Sequence, residues 1–139
     1  MDPLRTGRLT AGLSGRHYSR TRTTRRGRAA VPRWGFAVVR GRSMEPTLHD
    51  GDRLVVHYGG RLRPGRIVVV RLPGRADLSV KRIGWRDADG WWVERDNPRE
   101  GVDSWQVGAV DPNHVLAVAL VRLWPRPRSL IGVPRAPRR

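Results

Sequence analysis

The chain of 139 residues has no cysteine, and of its 28 basic residues only Lys81 is lysine. Without cysteine, neither a disulfide framework nor a thiolate metal site can form. The four histidines, His17, His49, His57 and His114, show no metal-ligand spacing. No metal and no cofactor is therefore expected. Long apolar runs are also missing: the longest, "VLAVALV" at 115–121, is strand-sized and far below the roughly 18 to 20 residues of a helical membrane span. The basic N-terminus has no apolar segment after "TTRRGRAA", which argues against a secretory or twin-arginine signal. The expectation is a soluble, cytoplasmic protein with at most peripheral membrane contact.

Acidic residues are scarce as well, 12 against 28 basic ones, for a net charge of +16. Such a charge suits an anionic partner, but its distribution is uneven. The first 33 residues hold nine arginines and one acid, Asp2, and the last 14 hold five arginines and no acid. The middle of the chain is closer to balance. The tails thus read as solvated extensions, and nucleic acid is not expected as a partner. The length suits one domain with a modest core.

Residues 1–33 are rich in Gly, Ser, Thr and Arg and lack hydrophobic periodicity, the composition of a disordered tail. Residues 34–125 then alternate short β-prone runs with turn chemistry. The runs are "FAVVR" (36–40), "RLVVHY" (53–58), "RIVVVRL" (66–72), "LSVKRI" (78–83), "WWVER" (91–95) and "HVLAVALVRLW" (114–124). Between them stand "HDGD", "RPG", "LPG", "DADG" and "DNPREG". This spacing predicts a mainly β, compact, antiparallel sheet fold, with "DADGWW" as a hairpin turn. Residues 126–139 read as a Pro/Arg-rich tail.

Two places could carry chemistry. In "GRSMEPTLHDGD" (41–52) Ser43 sits in a turn that follows a strand, where a nucleophile and backbone N–H donors can coincide. A serine among Gly and Pro is also ordinary turn composition. The second place is "DLSVKRIGW" (77–85), which holds the lone lysine. A serine hydroxyl needs an adjacent base, and a lysine can be that base once burial brings its pKa down from about 10.4. Arginine stays protonated and cannot replace it. On a strand, Ser79, Lys81 and Ile83 share one face. Ser43 and Lys81 are 38 residues apart, so the two would have to meet across strands. The competing reading is a lysine on the polar face of a half-exposed strand.

At these residues the sequence resembles type I signal peptidases, serine–lysine endopeptidases that share a β fold with the self-cleaving LexA-like proteins. "GRSMEPTL", "DGDRLVV", "RPGRIVVV", "SVKRI" and "RDNPREGVDS" fall in the order of that family's motifs, over roughly residues 36 to 132. The resemblance implies Ser43 as nucleophile and Lys81 as general base. It implies Gly41, Met44 and Pro46 at the oxyanion hole and pocket, with the hole resting largely on the Ser43 N–H. It further implies Asp96, Asn97, Asp103 and Ser104 as the loop supporting the lysine strand. The sequence departs from the pattern in several places. Arg95 replaces a glycine, Arg66 an aspartate, Gly101 a serine that often bonds the lysine, and Trp105 a frequent arginine. No segment of these 139 residues is expected to form the membrane-spanning N-terminal helix of most signal peptidases. "DGDRLVVHYG", "GGRLRPG" and "GWWV" look most like the short nickel-type superoxide dismutase maturation proteases. The resemblance there implies removal of a propeptide from that precursor by a monomer.

Other readings remain in view. His57 with Ser43 and Asp52 could suggest a Ser-His-Asp set, but "LVVHY" reads as a strand ending in a turn. Glu45 reads as an exposed turn residue beside the site. Trp85, Trp91, Trp92, Trp105 and Trp124 read as core and rim packing more than as a stacking platform. Beside the processing peptidase stand a self-cleaving switch, for which "RAAVP" (28–32) offers small residues, and a non-catalytic binder of nucleic acid or membrane surfaces.

Overall fold

The computed structural model describes residues 33–136 and the backbone of Arg8–Leu9. The strands are β1 (Arg8–Leu9), β2 (Trp34–Val38), β3 (Arg53–Tyr58), β4 (Ile67–Arg71), β5 (Leu78–Asp87), β6 (Gly90–Glu94), β7 (Val115–Trp124) and β8 (Arg128–Ser129). A short helix α1 (Ser104–Val107) and a 3-10 turn (Pro112–His114) precede β7. All pairings are antiparallel, in the order β1-β2-β3-β7-β4-β5-β6, with β8 on β7. The mainly β, antiparallel expectation is met.

The long apolar strand β7 lies in the middle because its residues must be covered on both faces. Ala117 and Ala119 enter one core, with Ala37, Leu54, Val56, Ile67 and Val69 among their neighbours. Val118 enters a second core, with Val68, Val70, Ile83 and Val93. β4 behaves likewise: its continuous "IVVV" is fully buried, with alternate residues feeding opposite cores. Register shifts interrupt β7 against both β3 and β4. Such irregularities bend and twist a sheet.

The β5–β6 hairpin turns at "DADG", as expected, with Asp87 paired to Gly90. Asp89 N–H donates to Asp87 Oδ1 at 2.8 Å. Gly90 has φ +139, and a Cβ there would fall 2.3 Å from the Val110 carbonyl oxygen, so this turn needs glycine.

One boundary differs from the sequence reading. The expected tail 126–139 is part of the domain as far as Arg135: β8 pairs with β7, Leu130 is wholly buried in the first core, and Arg135 pairs with Glu94. The apolar pattern "SLIGV" is too short to announce itself, and only the space beneath it gives it a place. The expected disorder of 1–33 lies largely outside the described residues. Arg8–Leu9 pair with Val38 and Ala37 as β1.

Candidate active site

Ser43 stands on the turn joining β2 to β3. Two bonds close the base of that turn, Val39 N–H to the Asp52 carbonyl at 2.9 Å and Gly51 N–H to the Val39 carbonyl at 2.7 Å. Met44 and Leu48 are buried in the first core, and Leu48 N–H donates to the Met44 carbonyl at 2.9 Å. These two apolar side chains pin the turn, and the intervening geometry leaves Ser43 facing inward, 1% exposed.

Lys81 projects from β5 beside Val68 of β4, with which it is paired. Paired residues share a face, so the aliphatic stem lies on the side of the second core. Lys81 is 0% exposed, and its Nζ donates to Ser43 Oγ at 2.8 Å. β3, β7 and β4 separate β2 from β5 in the sheet order. The turn that carries Ser43 nevertheless brings the two side chains together. The half-exposed polar-face reading of Lys81 is thereby excluded.

The loop after β6 makes contacts on both sides of this pair. Asp96 accepts from Arg82 Nε at 2.9 Å and Nη2 at 2.7 Å, and from Thr47 Oγ1. Arg82 follows Lys81 on β5 and Thr47 belongs to the Ser43 turn. One buried carboxylate therefore ties the Lys81 strand and the Ser43 turn together. Asn97 N–H donates to the Ser43 carbonyl at 2.9 Å, and its Nδ2 donates to the Arg42 carbonyl at 2.9 Å. Asn97 thus holds the Ser43 turn rather than the Lys81 strand.

Asp103 and Ser104 act more remotely. Asp103 caps α1, accepting from Trp105 N–H at 3.0 Å and from Arg95 N–H at 2.9 Å. Ser104 Oγ accepts from Val93 N–H at 2.9 Å. These bonds shape the loop and fasten it to β6.

The pocket residues separate in role. Met44 is core, while Pro46 is exposed. Gly41 N–H donates to Asp50 Oδ1 at 2.7 Å, so it closes the turn and is committed there. Ser43 N–H meets no acceptor among the described residues. It is the donor that could receive an oxyanion.

Gly101 takes the place of a lysine-bonding serine for a steric reason. Its φ is +98, and a Cβ there would lie 2.6 Å from Ser43 Cβ. His57 packs against Trp34, with ring centroids 4.7 Å apart. Asp52 accepts from His49 N–H and lies 3.6 Å from Arg122 Nη1. These contacts leave no Ser-His-Asp arrangement. Glu45 is half-buried and pairs with Arg42 rather than facing outward alone. Among the tryptophans only Trp91 is core; Trp85, Trp92 and Trp105 pack on one another at the surface.

Sequence reasoning missed Arg82 and Thr47. In a chain where arginine is the default cation, Arg82 carried no compositional signal, although consecutive cations on a buried strand could have marked it. Among the described residues, no cluster of three His, Asp or Glu side chains could hold a metal ion. Nor is any helix there long and apolar enough to cross a membrane.

A family model described as Peptidase S24-like matches residues 4–117. The chain belongs to the S24-like peptidase family. The resemblance to the signal peptidase and LexA-like group is thus borne out at the level of the family. No curated protein and no solved structure matches the chain.

Proposed function

We propose that this S24-like chain is a serine endopeptidase with a Ser43–Lys81 dyad that removes an N-terminal leader from a precursor protein. The observation that carries the reading is the 2.8 Å contact between Lys81 Nζ and Ser43 Oγ, both groups being buried. Removal from water disfavours the charged form of a lysine, and a neutral amine can accept the hydroxyl proton. Ser43 Oγ then bonds to the scissile carbonyl carbon, and the Ser43 N–H meets the oxyanion. Lys81 returns the proton to the leaving amine as the C–N bond breaks, which leaves an acyl-enzyme. A water molecule, deprotonated in turn by Lys81, releases the acyl group. No cofactor enters these steps.

The motif resemblance to nickel-type superoxide dismutase maturation proteases makes that precursor the substrate of choice. The test uses purified wild type, Ser43→Ala and Lys81→Arg, each incubated with a leader-bearing precursor and followed by mass spectrometry. Wild type is expected to cleave and both variants to be inactive. Cleavage by Lys81→Arg at the wild-type rate would falsify the general-base role.

A second reading has an observation of its own. β1 pairs with β2, the strand that leads into the Ser43 turn. An N-terminal segment held there favours self-cleavage. First-order loss of the N-terminus, independent of protein concentration and absent in Ser43→Ala, would mark that outcome.

A further inference from the structure

Arginine stands at position 95 where the family pattern has glycine, and its guanidinium has a defined set of partners. Nη1 donates to the Gly101 carbonyl at 2.9 Å and to Gln106 Oε1 at 3.2 Å, and Nη2 donates to the Pro98 carbonyl at 3.2 Å. Nη1 also lies 3.9 Å from Asp103 Oδ1. The side chain, 18% exposed, therefore bonds the loop at Pro98 and Gly101 and the helix that follows at Gln106. Its Nε is buried and has no hydrogen-bond partner among the described residues. Burying a donor in that state is costly, so the arrangement is retained against a penalty.

Gly101 is where this loop meets the nucleophile. A Cβ at Gly101 would lie 2.6 Å from Ser43 Cβ and 3.6 Å from Ser43 Oγ. The backbone at 101 is thus a wall directly behind the serine. The depth of that wall depends on what holds the Gly101 carbonyl, and Arg95 holds it.

We propose that Arg95 is a positioning residue for Ser43: through the Gly101 carbonyl it keeps the Gly101 backbone against Ser43 and so keeps Oγ on Lys81 Nζ. The catalytic part of this inference rests on the peptidase reading, whereas the geometric part does not.

The experiment pairs crystal structures with leader-cleavage kinetics for wild type, Arg95→Ala and Arg95→Lys, with Arg99→Ala on the exposed part of the loop as control. In Arg95→Ala the Gly101 backbone is expected to withdraw and the Ser43–Lys81 contact to lengthen beyond hydrogen-bond reach. The turnover number is expected to fall about 10- to 100-fold, with KM near wild type and partial recovery on adding methylguanidine. Arg95→Lys, which keeps the charge without the fork, is expected to fall between. Arg99→Ala should match wild type.

An unchanged Ser43–Lys81 distance in either variant, or wild-type turnover, overturns the proposal. So does loss of activity that tracks loss of folded protein and resists rescue. If wild type itself does not cleave, the peptidase reading fails and the variant structures alone decide the positioning role. Should Arg95→Ala not fold, Arg95→Lys carries the same two readouts.

Discussion

Lys81 keeps its amine where water is excluded, a placement that opposes stability and that the proposed base role would require. An ammonium group loses several kcal/mol of hydration on burial, which a neutral amine largely avoids. Replacing Lys81 by methionine, of similar volume and without charge, is therefore expected to abolish cleavage while leaving the protein at least as stable. Thermal unfolding of Lys81→Met alongside wild type checks this, and a lower midpoint for the variant would count against it. Gly101 makes the opposite case. Its positive φ and the 2.6 Å approach to Ser43 mean that Gly101→Ala must strain the backbone and push Ser43 aside. A cost of about 1–3 kcal/mol is expected, read by urea denaturation, together with a loss of activity exceeding the loss of folded protein. The serine common in relatives at this position could not be introduced here without the same displacement.

The elements matter through one buried carboxylate. Asp96 joins β5, by Arg82, to the Ser43 turn, by Thr47, and Arg82 also donates to the Gly65 and Val133 carbonyls at 2.9 and 2.6 Å. Asp96→Ala leaves the Arg82 guanidinium buried without its counter-charge. A loss of roughly 3–5 kcal/mol is expected, measurable as a shift in the denaturation midpoint. Arg82→Met with Asp96→Ala together should recover part of it, since an apolar pair removes the stranded charge.

The sequence made the strands legible because each carries its own period-2 or fully apolar run between turns. "RLVVHY" matches β3 at both ends, and "RIVVVRL" and "WWVER" match β4 and β6 to within a residue. Ser43 and Lys81 were legible as candidates through their chemistry, and Asp96 only through the motif resemblance. What could not be read was which side of the loop each support residue would serve. Asn97 bonds backbone carbonyls 54 and 55 residues away, and carbonyls have no signature in side-chain order. Helix α1 was hidden for a related reason: four residues show too little periodicity, and its capping box appears only once Gln106 turns back to Asp103.

At the scale of the molecule the question is where the folded unit stops. Composition places the boundary at Pro125, because five arginines follow without an acid. The structure puts three attachments beyond it: Leu130 in the first core, the Val133 carbonyl on Arg82, and Arg135 on Glu94 and Asp96. Two of the three converge on the Arg82–Asp96 pair, so the segment after β7 also supports the strand that carries Lys81. A chain ending at Pro125 would uncover the first core at Leu130 and withdraw a guanidinium from Asp96. Loss of a buried leucine alone costs about 2–5 kcal/mol, a large share of a total near 5–15 kcal/mol. Truncation after Pro125 is accordingly expected to give a chain that unfolds at much lower urea concentration or fails to accumulate. Truncation after Pro137 should leave the unfolding midpoint unchanged, because all three attachments remain. Leu130→Ala in the full chain should fall between the two. If the chain ending at Pro125 unfolds with the full chain, the segment is a tail after all, and the support it lends to Asp96 is not needed to hold Lys81 in place.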